Sequence, residues 1–322
     1  MNKKDQGNDS PDPLWGIIEQ KNKKVMNMAN KIIAIGVLVI LLCSCNNKSN
    51  SQPVNQTKQG GEHIKEYVDA LDDFAQIMPK FGQDTEAQWA ADTVHTMAAS
   101  LKGEKYSSPQ RMAIISQMHN YTAYGMAYFN AITGLYENKE LASYVLTMIP
   151  QCDSVYNELK KSQFENVRLQ SLFSIASVQN MQMFVTLNRL NTNRPVGEEL
   201  GSTMYALAAM DSITNVKEYS DMDIIKISSV METYSFFKMI YSLISLFSGS
   251  EEKYNENMIP MIEFAKFVDT QSSAIFKTIK SQEKIRVMSD DEYEKWMIKA
   301  TRYKVDMLRL TTKLIKEWEP TD

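Results

Sequence analysis

Residues 118–128 read MHNYTAYGMAY, and residues 231–241 read METYSFFKMIY. Both follow Met-x-x-Tyr-x-x-aromatic-x-Met-x-Tyr, at a separation of 113 residues. Wound at about 100° per residue, Ile114, Met118, Tyr121, Tyr124, Tyr128, Ile132 and Leu135 fall within about 120° of arc. Ile227, Met231, Tyr234, Phe237 and Tyr241 repeat that stripe in the second stretch. A half-buried strand shows strict alternation of apolar and polar residues, and no such run here is long enough to argue for a sheet. Each stretch therefore reads as one face of a helix, and the fold around it as all-α.

The likeness extends outward in preserved order. Ile114 matches Ile227 and Ser116 matches Ser229; upstream, Glu86 matches Glu199 and Met97 matches Met210. Downstream, Tyr144-x-x-x-Met148-Ile149-Pro150 matches Tyr254-x-x-x-Met258-Ile259-Pro260 after a shortening of three residues between helices. An internal duplication accounts for this order. The expected architecture is a leading helix plus two tandem four-helix units, about 82–192 and 196–318, forming a helical bundle or an elongated α-helical array. Helices are expected near 62–79, 83–101, 108–136, 139–161, 165–191, 197–217, 221–247, 252–284 and 290–318. Ser108-Pro109 and Ser289-Asp290 suit helix starts, while Gly103, Asn193 to Pro195 and Ser248-Gly249-Ser250 suit breaks. Pro150 and Pro260 predict the same kink or helix start in both units.

Composition agrees. Glycine (12) and proline (9) are scarce among 322 residues, and methionine (21) is abundant. Few breakers and many flexible apolar side chains suit long packed helices. The formal net charge is −4. No long run of Lys or Arg remains beyond residue 44, which disfavours nucleic acid as a partner.

Residues 31–45 read KIIAIGVLVILLCSC: a basic start, about eleven apolar residues from Ile32 to Leu42, then Leu42-Cys43-Ser44-Cys45 and a polar break. The apolar run fits a signal-peptide core and is shorter than the roughly 20 residues of a spanning helix. The segment resembles the lipobox of bacterial lipoproteins. The resemblance implies a diacylglycerol thioether on Cys45, with cleavage before it. Cys43 is an unusual residue inside that motif. Residues 1–25 carry Asp5, Asp9, Asp12 and Glu19, which suits translation starting at Met26 or Met28. Residues 1–44 thus read as a signal peptide, and residues 45–61 as the lipidated Cys and a flexible tether rich in Asn, Gln, Ser and Gly. In Bacteroidota lipoproteins an acidic cluster after the Cys marks surface export. The tether has none, so the resemblance implies an outer-membrane protein facing the periplasm. Palmitate or another acyl chain on the amino group would make the attachment durable, since one chain anchors marginally.

For chemistry the sequence offers little. No hydrolase elbow, P-loop, dinucleotide glycine pattern or paired zinc-ligand spacing occurs. Asp92 and His95 have the spacing of half a di-metal bundle site, but Tyr205 and Ala208 stand at the matching places in the second unit. No metal and no cofactor are expected. Cys152 is alone in the folded part and reads as a small buried residue. The candidate binding surface is the repeated stripe: Met118, Tyr121, Tyr124, Tyr128, Met231, Tyr234, Phe237 and Tyr241. It is either the buried face of two equivalent helices or the lining of an apolar groove. The resulting expectation is a lipid-anchored, non-enzymatic binding or assembly module with a protein partner in the cell envelope. Two alternatives stand beside it: a small-molecule or lipid carrier with a Met/Tyr-lined cavity, and an enzyme with an unfamiliar helical site.

Overall fold

The computed structural model describes residues 58–77, 79, 85–103, 106–133, 145–191, 219–248, 250–281 and 285–318. The signal peptide, Cys45, most of the tether and the helix expected near 197–217 lie outside the described residues. Those described contain eight helices and no strand: α1 (Lys58–Ala75), α2 (Thr85–Gly103), α3 (Ser108–Thr133), α4 (Met148–Lys161), α5 (Val167–Asn191), α6 (Asp221–Phe247), α7 (Glu251–Ser281) and α8 (Asp290–Glu317). The fold is all-α.

Local chemistry explains the boundaries. Ser220 and Ser289 cap α6 and α8, each accepting from a backbone N–H three residues on, while Asp223 and Glu292 reach back to complete capping boxes. Helix α4 ends in a tight reversal at Gln163 and Phe164, both with positive φ, closed by the Phe164 N–H donating to the Leu159 carbonyl at 2.8 Å. Helix α1 begins at Lys58, so the last tether residues are helical. Gly60 and Gly61 sit in its first turn, where a helix tolerates weak formers once a buried face further along holds it. That face includes Tyr67, Leu71 and Phe74, all 4% exposed or less.

The two prolines differ in effect. Pro150 lies in the first turn of α4, behind a turn at Leu146-Thr147, whereas Pro260 lies inside a continuous α7. The expected equivalence fails because a first turn has no backbone acceptor waiting for the missing N–H, whereas α7 forgoes one bond and runs on.

Packing makes a closed circuit. Helix α1 touches α2, α2 touches α3, α3 touches α5, α5 touches α6, α6 touches α8, and α8 returns to α1. The leading helix is therefore the piece between the last helix and the start of the first unit. Helix α4 packs on α3 and α5, and α7 on α6. Phe173, Phe184, Phe236 and Phe264 are almost wholly buried. Matched positions of the repeat have matched burial: Ile114 and Ile227, Met118 and Met231, Tyr121 and Tyr234 are all 6% exposed or less.

Candidate functional site

Where α1, α3, α6 and α8 approach one another, a cavity of about 480 Å³ opens. Its walls are mainly aliphatic and thioether: Ile64 from α1, Met112 and Ile115 from α3, Met222 from α6, Met297 and Ile298 from α8. Its polar groups converge from the same four helices. Tyr67, Ser116, His119, Glu232 and Lys304 all line it.

Glu232 is the centre of the polar part. Its Oε1 accepts from His119 Nδ1 at 2.8 Å and from Ser116 Oγ at 3.1 Å. The carboxylate can only accept, so Nδ1 carries the imidazole proton. His119 Nε2 then accepts from the Tyr67 hydroxyl. The result is a hydrogen-bonded chain, Tyr67 to His119 to Glu232, spanning three helices. The side chain of His119 is 1% exposed and that of Glu232 12%.

Burial sets the protonation states. It pushes the His119 imidazole below its ordinary value, against the hydrogen bond and charge of Glu232. Burial also pushes the Glu232 carboxyl up, but the His119 hydrogen bond, the charges of His119 and Lys304, and the Ser116 hydroxyl outweigh it and hold it below the usual range. Tyr67 is raised well above its ordinary value, chiefly by burial and then by the Glu232 charge, and stays protonated. The chain at neutral pH is thus a phenol, a neutral imidazole and a carboxylate.

Lys304 holds its Nζ 5.7 Å from the Tyr67 ring centre and 5.4 Å from that of Phe236. These are cation–π contacts. Burial lowers its amine, with the Glu232 charge opposing. Also in the lining, Ser229 Oγ donates to the Ile225 carbonyl at 2.9 Å. Its single proton is thereby committed, so Tyr293 donates its hydroxyl proton to Ser229 across 2.7 Å. Lys226 fixes the start of α8 beside the cavity, donating to the Met288 carbonyl and pairing with Asp290, both at 2.7 Å.

The residues singled out from sequence lie elsewhere. Met118, Tyr121, Tyr124, Met231, Tyr234 and Phe237 are buried, and Tyr128 and Tyr241 are half-buried. None of the eight lines the cavity. The stripe packs within its own unit: Tyr121 bonds Asp153 of α4, Tyr124 bonds Glu86 of α2, and Tyr241 shares a hydroxyl bond with Tyr254 of α7. The cavity uses the adjacent face of α3 and α6. A signal for it stood in the quoted motif, since His119 and Glu232 each follow the first Met of their stretch. Nothing in the sequence marks Tyr67 or Lys304.

Of the other candidates, His95 pairs with Asp72 of α1 at 3.1 Å, and Asp92 accepts from Gln88. Among the described residues no group of three or more His, Cys, Asp or Glu could hold a metal ion. Cys152 is 1% exposed beside a second polar network, in which Asn180 donates to its thiol at 2.9 Å and to Asn120 at 3.2 Å. No protein-family model, curated protein or solved structure matches the chain. Among the described residues no helix is long and apolar enough to cross a membrane.

Proposed function

We propose that this protein is a lipid-anchored ligand-binding protein of the bacterial cell envelope, held by acylated Cys45 and taking a small molecule into the cavity between α1, α3, α6 and α8. The cavity carries the reading. Its volume of about 480 Å³ lies within the usual range of small-molecule sites, and its aliphatic walls with a few convergent polar groups have the usual make-up of one. Burial of the repeated aromatic stripe counts against that stripe as a docking face for a protein partner. The lipobox-like LLCSC segment supports the anchor and the tether supplies reach.

The test is native mass spectrometry of the acylated chain, extracted from membranes in mild detergent. Mass beyond the acylated polypeptide is expected, and it should disappear in Ile115→Trp, which fills the cavity from α3. A bare wild-type chain, or extra mass retained in the filled variant, overturns the reading. Cys45→Ala should abolish acylation and leave unprocessed precursor.

The chain Tyr67–His119–Glu232 favours a second reading, in which the site also moves a proton on its ligand. Recovery of a bound molecule chemically unchanged after prolonged incubation would rule against catalysis and leave binding intact.

A further inference from the structure

Around the cavity the acids are engaged. Glu232 accepts from His119 and Ser116, Asp290 pairs with Lys226, Asp291 pairs with Lys295 at 2.6 Å, and Glu294 also has a partner. Lys304 is different. Its ammonium rests on two aromatic faces, and among the described residues no carboxylate lies within ion-pair distance and no acceptor takes its hydrogens. The Glu232 charge reaches it only through space. The two ring faces leave the ammonium's hydrogens available to a group in the cavity, and an anionic oxygen is the strongest acceptor for them.

We infer that the ligand is a single-chain amphiphile with an anionic head, carboxylate or phosphate, seated with the head on Lys304 and the aliphatic body along Met112, Ile115 and Met297. This rests on the cavity being a ligand site. Methionine walls adapt to a flexible chain. The volume of about 480 Å³ suffices for one aliphatic chain. A cationic head fits poorly, since every acid in reach is already bonded and Lys304 would repel it. Burial lowers the Lys304 amine, and a bound anion would oppose that.

The experiment is titration calorimetry of the full chain in nanodiscs, with empty nanodiscs as the blank. The probes are decanoate, decyl phosphate, decanol and decyltrimethylammonium. At least one anion should bind about tenfold tighter than decanol, as expected of a charge-assisted hydrogen bond, and the ammonium should bind more weakly than decanol. Which anion wins identifies the head. Lys304→Met should bring the anion down to the affinity of decanol and leave decanol unchanged, while Lys304→Arg should keep the anion preference. If Lys304→Met does not fold, the wild-type series and the Arg variant decide alone. Equal binding of anion and alcohol overturns the head assignment and leaves the pocket reading standing. Tighter binding of the ammonium does the same. No binding of any probe overturns both.

Discussion

His119 and Glu232 stand 113 residues apart, the separation that aligns the repeated motif, and their side chains meet at 2.8 Å. Removing one partner strands the other in a buried site. Glu232→Ala and His119→Ala should each cost about 1–3 kcal/mol, the penalty of leaving a buried hydrogen-bonding group without its partner. The double variant should cost less than their sum, by about 1–3 kcal/mol of coupling. Urea unfolding of the four proteins measures this, and additivity within about 0.5 kcal/mol would show that the pair is not coupled.

The same pair makes the fold acid-sensitive. Burial holds the His119 imidazole below its ordinary value of 6.5. As pH falls through that value the unfolded chain takes up a proton that the folded chain refuses, so stability drops. Glu232, held below 4.5, adds a second loss at lower pH, when its carboxylate is finally protonated in the fold. The melting temperature should therefore decline between about pH 7 and pH 5. His119→Gln should flatten that interval while lowering stability throughout. An unchanged slope in the variant would assign the acid sensitivity to other groups.

Met118 and Met231 test the duplication through packing. Both are fully buried at matched positions. Truncating either to Ala removes a buried chain and leaves a void, at a cost of about 2–5 kcal/mol. The two costs should agree within about 1 kcal/mol if the units pack alike. A large cost at one site beside a negligible one at the other would mean that likeness in sequence is not likeness in environment.

The helices were legible because burial writes a period into the chain. Starts at Ser108 and Asp290 fall where the Ser-Pro and Ser-Asp signals place them, and the Met–Tyr stripe, whose spacing allowed either a core face or a groove lining, is mostly buried. The cavity was not legible, for a physical reason. It draws on four helices, and the contacts that make it join residues 52, 113 and 116 apart in the chain. Periodicity reports which face of a helix is buried and says nothing of which buried faces leave a gap. Lys304 illustrates the limit, since its setting depends on rings from α1 and α6 that no local pattern brings near it.

The turn after α4 stores backbone strain that can be released. Gln163 is exposed and has φ of 53°, a conformation glycine adopts without penalty. Gln163→Gly should raise stability by about 0.5–1 kcal/mol, the left-handed penalty removed exceeding the entropy added to the unfolded chain. A loss instead would show that the side chain stabilises the turn by more than its strain.

Cys152 reports on how the first unit opens. Its thiol is 1% exposed, and burial pushes it up to about 12, with the Asn180 hydrogen bond opposing. A thiol in that state gives almost no thiolate at neutral pH, and thiolate is the species that iodoacetamide attacks. In the native protein Cys152 should stay unmodified over hours, as followed by peptide mass spectrometry. Urea should bring modification on in parallel with unfolding, because α4 and α5 must separate before the sulfur is exposed. Helices α4 and α5 also hold Asp153 and Asn180, which bond Gln117 and Asn120 of α3. Opening there therefore breaks a buried polar network, which makes it costly. Modification well ahead of global unfolding would place the weak point of the fold at α4, and would predict that truncating Asn180 accelerates labelling without shifting the main unfolding transition.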